Sequence, residues 1–280
     1  MLYQLSYTPA GSVRASIAKG MGTQATLRVR FAMADTMHAP TTMPPSKLIP
    51  PEVLLLAYRS GVFPMADSRE DDEVFWVEPR RRAILPLDGF HCSRSLAKVL
   101  KQERFRVSVD EDFARVLEAC AAPRPDPESG GESGTWISHT IAASYLNLHR
   151  HGHAHSVECW QRTDDGEKLV GGLYGVAFER AFCGESMFSR ADNASKVALA
   201  FLVALMKRAG FMLLDCQFMT GHLASLGAVE ISRDDYLARL ATACDGQPLC
   251  SLPQAITDLR QAAASSSPGK VIAQSFTHTS

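Results

Sequence analysis

The alternation of apolar and polar positions divides the chain into short helices and strands from residue 50 onward. Pro50-Pro51 opens a helix over 52–60 that Gly61 stops. Val62-Phe63-Pro64-Met65 is an extended apolar turn, 74–77 a short strand ended by Pro79, and 83–86 a further extended apolar piece. Ser93 or Ser95 caps a helix running to about Lys101, and 105–109 alternates like a strand. Asp110 caps a helix over 113–122, and the Pro-, Gly-, Ser- and Glu-rich residues 123–134 form a loop. A helix over 140–150 ends at Gly152. Strands over 154–162 and 169–178 make a hairpin around Thr163-Asp-Asp-Gly166, followed by a third strand over 181–185. Asn193 or Ser195 caps a helix over 197–208 that Gly210 closes. A strand over 211–216, a short helix over 221–226 and a last helix over 233–243 follow. The pattern predicts an α+β (mixed α/β) domain over 91–247 behind a small irregular domain over 47–90, with a disordered leader over 1–46 and a flexible tail over 248–280.

Composition narrows the function. At 280 residues and 46% apolar content the chain can bury a real core, and a net charge of -1 confines any nucleic-acid binding to a local patch. Seven scattered cysteines without a C-x-x-C pair point to a reducing compartment and away from zinc or a disulfide framework. The longest apolar run, 197–206, is about half a membrane span. Residues 1–34 hold four basic residues and no acid, which reads as a transit-like or disordered leader, or as sequence upstream of a true start at Met33, Met37 or Met43.

The chemistry concentrates in two stretches, Cys183-Gly-Glu-Ser-Met-Phe-Ser-Arg190 and Leu213-Leu-Asp-Cys-Gln217. Glu185 is a lone carboxylate among Phe182, Met187 and Phe188, and Asp215 and Gln217 end an apolar run. Strand alternation would turn Asp215 and Gln217 to one side and Cys216 to the other. Charges at the ends of buried strands are costly unless paired or used, so each acid is either a structural ion pair or a working group. Residues 80–106 carry eight Lys/Arg and two acids, and Arg94, Lys98 and Lys101 share one helix face, where they either track a phosphate backbone or are simply solvated. His149, His151, His153 and His155 lack a neighbouring set with ligand spacing, so no metal is expected. Gly171, Gly172 and Gly175 lie inside a strand and mark close backbone approach or a bulge. Trp136 and Trp76 offer stacking faces if they are not core residues.

In order along the chain stand Ala57-Tyr-Arg-Ser-Gly-Val-Phe-Pro64, His91-Cys-Ser-Arg-Ser95, Gly134-Thr-Trp-Ile137, Gly152-His-Ala-His-Ser-Val-Glu158, Val170-Gly-Gly-Leu-Tyr-Gly175, 182–190, Asn193-Ala-Ser-Lys196, Asp215-Cys-Gln217 and Ala224-Ser-Leu-Gly-Ala228. By these pieces the chain, from about Pro50 to Leu240, resembles the bacterial leucyl/phenylalanyl-tRNA–protein transferases. It implies a domain related to the GNAT acyltransferases and a cytoplasmic N-degron enzyme. Such an enzyme moves Leu or Phe, and by extension Met, from Leu-tRNA or Phe-tRNA onto an N-terminal Arg or Lys. No cofactor, metal or membrane is implied, and a monomer is expected.

On that reading Asp215 accepts a proton from the attacking amine or orients it, Gln217 hydrogen-bonds the reacting groups, and Glu185 meets the cationic acceptor. Leu173, Phe182, Met187, Leu199, Leu202, Met206 and Leu214 would line an apolar pocket for the Leu or Phe side chain. Trp136, Arg94, Lys98, Lys101 and Arg190 would hold the tRNA. The chain departs from the family pattern at Met65, where Trp is usual, in Ser46-Lys-Leu48, and in the long 123–134 loop. A GNAT acetyltransferase is the rival enzyme, but Ser189-Arg-Ala-Asp-Asn-Ala194 lacks the glycines of a pyrophosphate loop. A non-catalytic tRNA-binding adaptor is the rival of another kind.

Overall fold

The computed structural model of the chain describes residues 2–7, 13–18, 48–125, 132–263 and 265–276. Its contacts divide it into two units, residues 1–80 with 121–148 and residues 81–120 with 149–280. In the first, strands Leu2–Tyr7 and Val13–Ala18 pair antiparallel, so part of the expected leader is a hairpin. Met33, Met37 and Met43 lie outside the described residues. Helix Pro51–Arg59 buries Leu54, Leu55, Ala57 and Tyr58, with its proline in the first turn where no amide donor is needed. Strands Phe63–Met65 and Phe75–Val77 pair antiparallel. Helix His139–Arg150 belongs with them: the Tyr145 and Tyr58 hydroxyls share a hydrogen bond and Ser144 Oγ accepts from Ile49 N at 2.9 Å. The expected loop over 123–134 contains the paired segments Arg124–Pro125 and Glu132–Ser133.

The second unit holds a seven-stranded sheet. Its strands are β1 (Arg81–Ile84), β2 (Arg106–Val109), β3 (Ala154–Thr163), β4 (Gly166–Phe178), β5 (Ala181–Ser189), β6 (Leu213–Gln217) and β7 (Val229–Ser232). They lie in the order β7-β1-β6-β5-β4-β3-β2, with β5 and β6 parallel and every other pair antiparallel. The helices are α1 (Arg94–Lys101), α2 (Phe113–Ala121), α3 (Ala194–Ala209), α4 (Gly221–Ser225), α5 (Arg233–Cys244), α6 (Leu252–Ala262) and α7 (Pro268–Ser275). The mixed α+β class expected from the sequence is what forms, with a mainly antiparallel sheet at its centre.

Three expectations are corrected. The boundary falls after residue 80 and not after 90, because β1 is hydrogen-bonded between β6 and β7. The supposed tail over 248–280 includes two helices, α6 and α7, whose Leu252, Ile256, Leu259 and Ile272 join Leu173, Val197, Phe201 and Leu205 in one core. Their starts carry a capping serine followed by Pro, with Ser251 accepting from Gln254 N and Ser267 from Lys270 N. Asp110 does not cap α2. It sits at φ 58° and accepts from Ser156 N at 2.8 Å and His155 Nδ1 at 2.6 Å, while Asp112 Oδ1 accepts from Arg115 N.

The β2–β3 edge closes over a buried carboxylate. Glu158 is fully buried and accepts from Ser108 Oγ at 2.6 Å and from Ser156 Oγ, and Trp160 Nε1 donates to Ser108 Oγ. Burial pushes its carboxyl above the ordinary value of 4.5, against the pull of the two hydroxyls. The folded state therefore holds a proton here more tightly than the unfolded chain, and stability from this group falls as pH rises above that value. Glu158→Gln is uncharged at every pH. Its urea midpoint should gain on the parent's between pH 5 and 8, and a constant difference would contradict the assignment.

Candidate functional site

The two central stretches become neighbours because β5 and β6 run parallel. Ala181, Phe182 and Cys183 register with Leu213, Leu214 and Asp215, and α3 connects the strands. Helix α3 is apolar on nearly every side because it packs on the sheet by one face and meets α6 by another.

Each stretch is broken by an irregularity where its chemistry lies. On β5, Ser186 pairs with Tyr174 and Gly184 with Gly175, so Glu185 is the extra residue of a bulge. A side chain at Gly175 would overlap Cys183 O and the Phe182 ring, so the bulge needs glycine opposite it. On β6, Asp215 pairs with Ile84 and Gln217 with the adjacent Ala83, which leaves Cys216 unpaired. Gln217 sits at φ 56°, Phe218 N donates back to Cys216 O at 2.7 Å, and Asp215 Oδ1 accepts from Gln217 N at 2.9 Å. The simple alternation expected for 215–217 therefore gives way to a turn fastened by the Asp215 carboxylate.

Asp215 is itself held. Arg82 on β1, 1% exposed, donates from Nε to Oδ1 at 2.8 Å and from Nη2 to Oδ2 at 2.6 Å. Tyr236 OH of α5 donates to Oδ2 at 3.2 Å, and the guanidinium lies 4.4 Å from the Tyr236 ring centre. Burial works against the Arg82 charge, but the Asp215 charge and hydrogen bonds outweigh it and leave the guanidinium above its ordinary range. Burial, then the Asp215 charge, pushes the Tyr236 phenol and the Cys183 thiol well up, so both stay neutral. From this anchored turn Gln217 Nε2 donates to Glu185 Oε1 at 3.3 Å. Asp215 is fully buried, Gln217 nearly so, and Glu185 half-buried: the chain of contacts reaches solvent at its Glu185 end.

The structure thus joins Asp215, Gln217 and Glu185 and adds Arg82 and Tyr236, which the sequence did not single out. Leu173, Phe182, Leu199, Leu202, Met206 and Leu214 are enclosed in the core between α3 and the sheet, with Met187 half-buried against them. Arg94, Lys98 and Lys101 lie exposed on α1, whose other face buries Leu96 and Leu100 and whose Ser93 caps Leu96 N. Arg190 is exposed, 5.2 Å from the Phe188 ring. Trp136 belongs to the first unit, where its carbonyl accepts from Ala66 N. Two of the alternating histidines serve the backbone and Asp110: His149 Nδ1 bonds Ala154 O at 2.8 Å and stacks on Phe113, and His155 bonds Asp110.

The family profile described as leucyl/phenylalanyl-tRNA protein transferase matches residues 84–241, and that of the N-terminal domain of the same family matches 48–80. A leucyl/phenylalanyl-tRNA–protein transferase of Novosphingobium aromaticivorans is 53% identical over 264 residues, covering 83% of this chain and 97% of that protein. The chain belongs to the leucyl/phenylalanyl-tRNA–protein transferase family. A member from Rhizorhabdus wittichii is 58% identical over 200 residues, 70% of this chain and 76% of that one. Asp215, Gln217, Glu185 and Tyr236 fall inside the matched regions of the transferase profiles, Arg82 falls between them, and α6 and α7 lie beyond. Among solved structures, L-PGS from Bacillus licheniformis matches at a TM-score of 0.32 and 14% identity over 70% of this chain and 57% of that chain, too slight a likeness to bear on the fold.

Proposed function

We propose that the chain transfers leucine or phenylalanine from the 3′ end of an aminoacyl-tRNA to the α-amine of proteins beginning with Arg or Lys. The observation that carries this is the hydrogen bond from Gln217 to the half-buried Glu185, at the open end of a site built from two stretches that lie inside the region matched by the transferase profile. The reaction is aminolysis of an ester. The amine nitrogen forms the new C–N bond, the ester C–O bond breaks, and the proton lost by nitrogen ends on the ribose oxygen. The donor is already activated and an N-terminal amine titrates near pH 8, so positioning supplies much of the acceleration.

In this reading Glu185 receives the cationic acceptor and Gln217 hydrogen-bonds the amine as it attacks. The donor side chain is read as resting on Met187, the half-buried member of the apolar set, while Leu173, Phe182, Leu199, Leu202, Met206 and Leu214 fill the core behind it and set how large a side chain is admitted. Arg94, Lys98, Lys101 and Arg190 meet tRNA phosphates, and Trp136 offers a face to an unpaired base. The fold is read as GNAT-like, the enzyme as a cytoplasmic monomer, and the product as an N-degron for proteolysis. No helix among the described residues is long and apolar enough to cross a membrane.

The test is transfer of labelled leucine from Leu-tRNA to a peptide with N-terminal Arg, beside one with N-terminal Ala, without ATP or acetyl-CoA. Product with Arg alone is expected. Folded protein that binds the tRNA and makes no product with either would turn the reading to an adaptor. In the same assay Arg94→Ala with Lys98→Ala should weaken tRNA binding and lower its salt slope by about 2.

A further inference from the structure

We propose that the cavity between α1, β2, β3, α3, α6 and α7 binds a small organic phosphate of the nucleoside monophosphate class, apart from both the transfer site and the tRNA face of α1. The cavity holds about 460 Å³, within the roughly 300–1,000 Å³ of sites that take a small ligand. None of Asp215, Gln217 and Glu185 lines it, and β4 stands between its strand β3 and β5. From α1 it takes Val99 and Leu100, and none of Arg94, Lys98 and Lys101. Its wall on α6 and α7 lies beyond the region that the transferase profile matches.

Four arginines line the cavity against one acid, Glu103, in a chain whose net charge is -1. Arg106 is already satisfied, by Glu111 at 2.6 Å and Glu167 at 2.8 Å. The other three keep donors to give. Among the described residues the Arg104 guanidinium meets only the Phe105 ring, at 5.8 Å. Arg260 donates Nη2 to Val107 O at 2.9 Å, which fixes it against the edge of β2 and leaves Nε and Nη1 over. Arg162 comes no nearer to Glu167 than 3.9 Å. These three stand on the α1–β2 connection, on α6 and on β3, so guanidiniums face one space from three walls. A phosphate has oxygens enough to meet several such forks, where a carboxylate fills one. Below them Phe105, Val107, Phe201 and Ile256 make an apolar floor that suits a flat ring and is of no use to a bare anion. The wall is preformed: a side chain at Gly269 would overlap Leu100 O, so α7 seats directly on the end of α1.

The test titrates the full chain with adenosine 5′-monophosphate, read by calorimetry and thermal midpoint, with adenosine and inorganic phosphate as separate probes. Expected are one nucleotide bound per chain and a midpoint that rises with its concentration. Adenosine and phosphate, each lacking one half of the contacts, should bind at least about 10-fold more weakly. Arg260→Met should weaken the nucleotide about 10- to 100-fold, the scale of a lost charged hydrogen bond. It should leave tRNA affinity and the kcat of transfer as in the parent. If Arg260→Met does not fold, Arg104→Met with Arg162→Met, both exposed, takes its place. Phosphate bound as tightly as the nucleotide would leave the floor without a role and overturn the proposal. Binding lost in Gln217→Ala but kept in Arg260→Met would put the nucleotide at the transfer site and overturn it too. Neither heat nor a midpoint shift up to about 5 mM nucleotide would do the same. A fall in tRNA affinity in Arg260→Met, with no nucleotide bound by the parent, would join the cavity to the tRNA face instead. The binding readouts need no transfer, so a failure of the transferase reading leaves them standing.

Discussion

Arg82→Ala is expected to lose about 3–5 kcal/mol of folding stability, because it strips the partner from a carboxylate that stays buried. Against the ~5–15 kcal/mol that holds a typical domain, this lowers the urea midpoint severely and leaves much of the chain unfolded at 37 °C. Size is not the cause. The Arg82 aliphatic stem contributes packing, yet the larger part of the loss is Asp215, fully enclosed beside Cys183 and deprived of two of its four donors. The double variant Arg82→Met, Asp215→Leu removes both charges together and should recover much of the midpoint. It should remain inactive, since nothing then accepts from Gln217 N to fasten the turn. Recovery of stability without transfer separates the burden of the charges from their use. A stability loss below about 1 kcal/mol for Arg82→Ala alone would refute the account.

Gly175→Ala is expected to be the most damaging single-methyl change in the sheet. The added carbon would overlap Cys183 O and stand 2.7 Å from Phe182 Cζ. The carbonyl cannot retreat without opening the β4–β5 ladder beside the Glu185 bulge, so the strands shift at a cost of about 1–3 kcal/mol or more. Transfer should fall further than the unfolded fraction explains, because Glu185 moves with the strand. Gly184 pairs with Gly175, and a methyl there meets nothing nearer than 3.5 Å. Gly184→Ala should hold its thermal midpoint close to the parent's, and equal midpoints for the two variants would contradict the argument.

The central stretches were legible because their anomalies are local: an acid and an amide ending an apolar run, and a carboxylate among aromatics, can be seen in a window of a few residues. Glycines inside a strand pattern likewise reported close approach before any partner was known, and Gly171 and Gly175 meet Ala194 and Phe182 as that reading requires. Arg82 was not legible. It stands in Arg80-Arg-Arg82, where three equal letters hide that Arg81 pairs with Glu230 at the surface while Arg82 turns inward. Its partners are 133 and 154 positions away, beyond any periodicity. The bulges were missed for a related reason, since an extra residue shows only against its partner strand. Helices α6 and α7 were hidden by the Ala- and Ser-rich stretch between them, whose composition outweighed two good caps. The family resemblance located the chemistry, but the anchoring of Asp215 came only from the geometry.

The long span of the Arg82–Asp215 pair also sets a schedule for synthesis. At about 5–20 residues per second, roughly 7–27 s separate the making of Arg82 from that of its carboxylate 133 positions later. Throughout that interval β1 has neither flanking strand, because β6 and β7 are both still to come. The N-terminal half of the sheet can assemble on the ribosome, but the edge that carries the guanidinium must wait. Closure of this long loop makes the reactive turn one of the last parts of the molecule to form. A nascent chain stalled before Tyr236 would lack the hydroxyl that meets Asp215 Oδ2 and the two helices that complete the core, and should be unable to react.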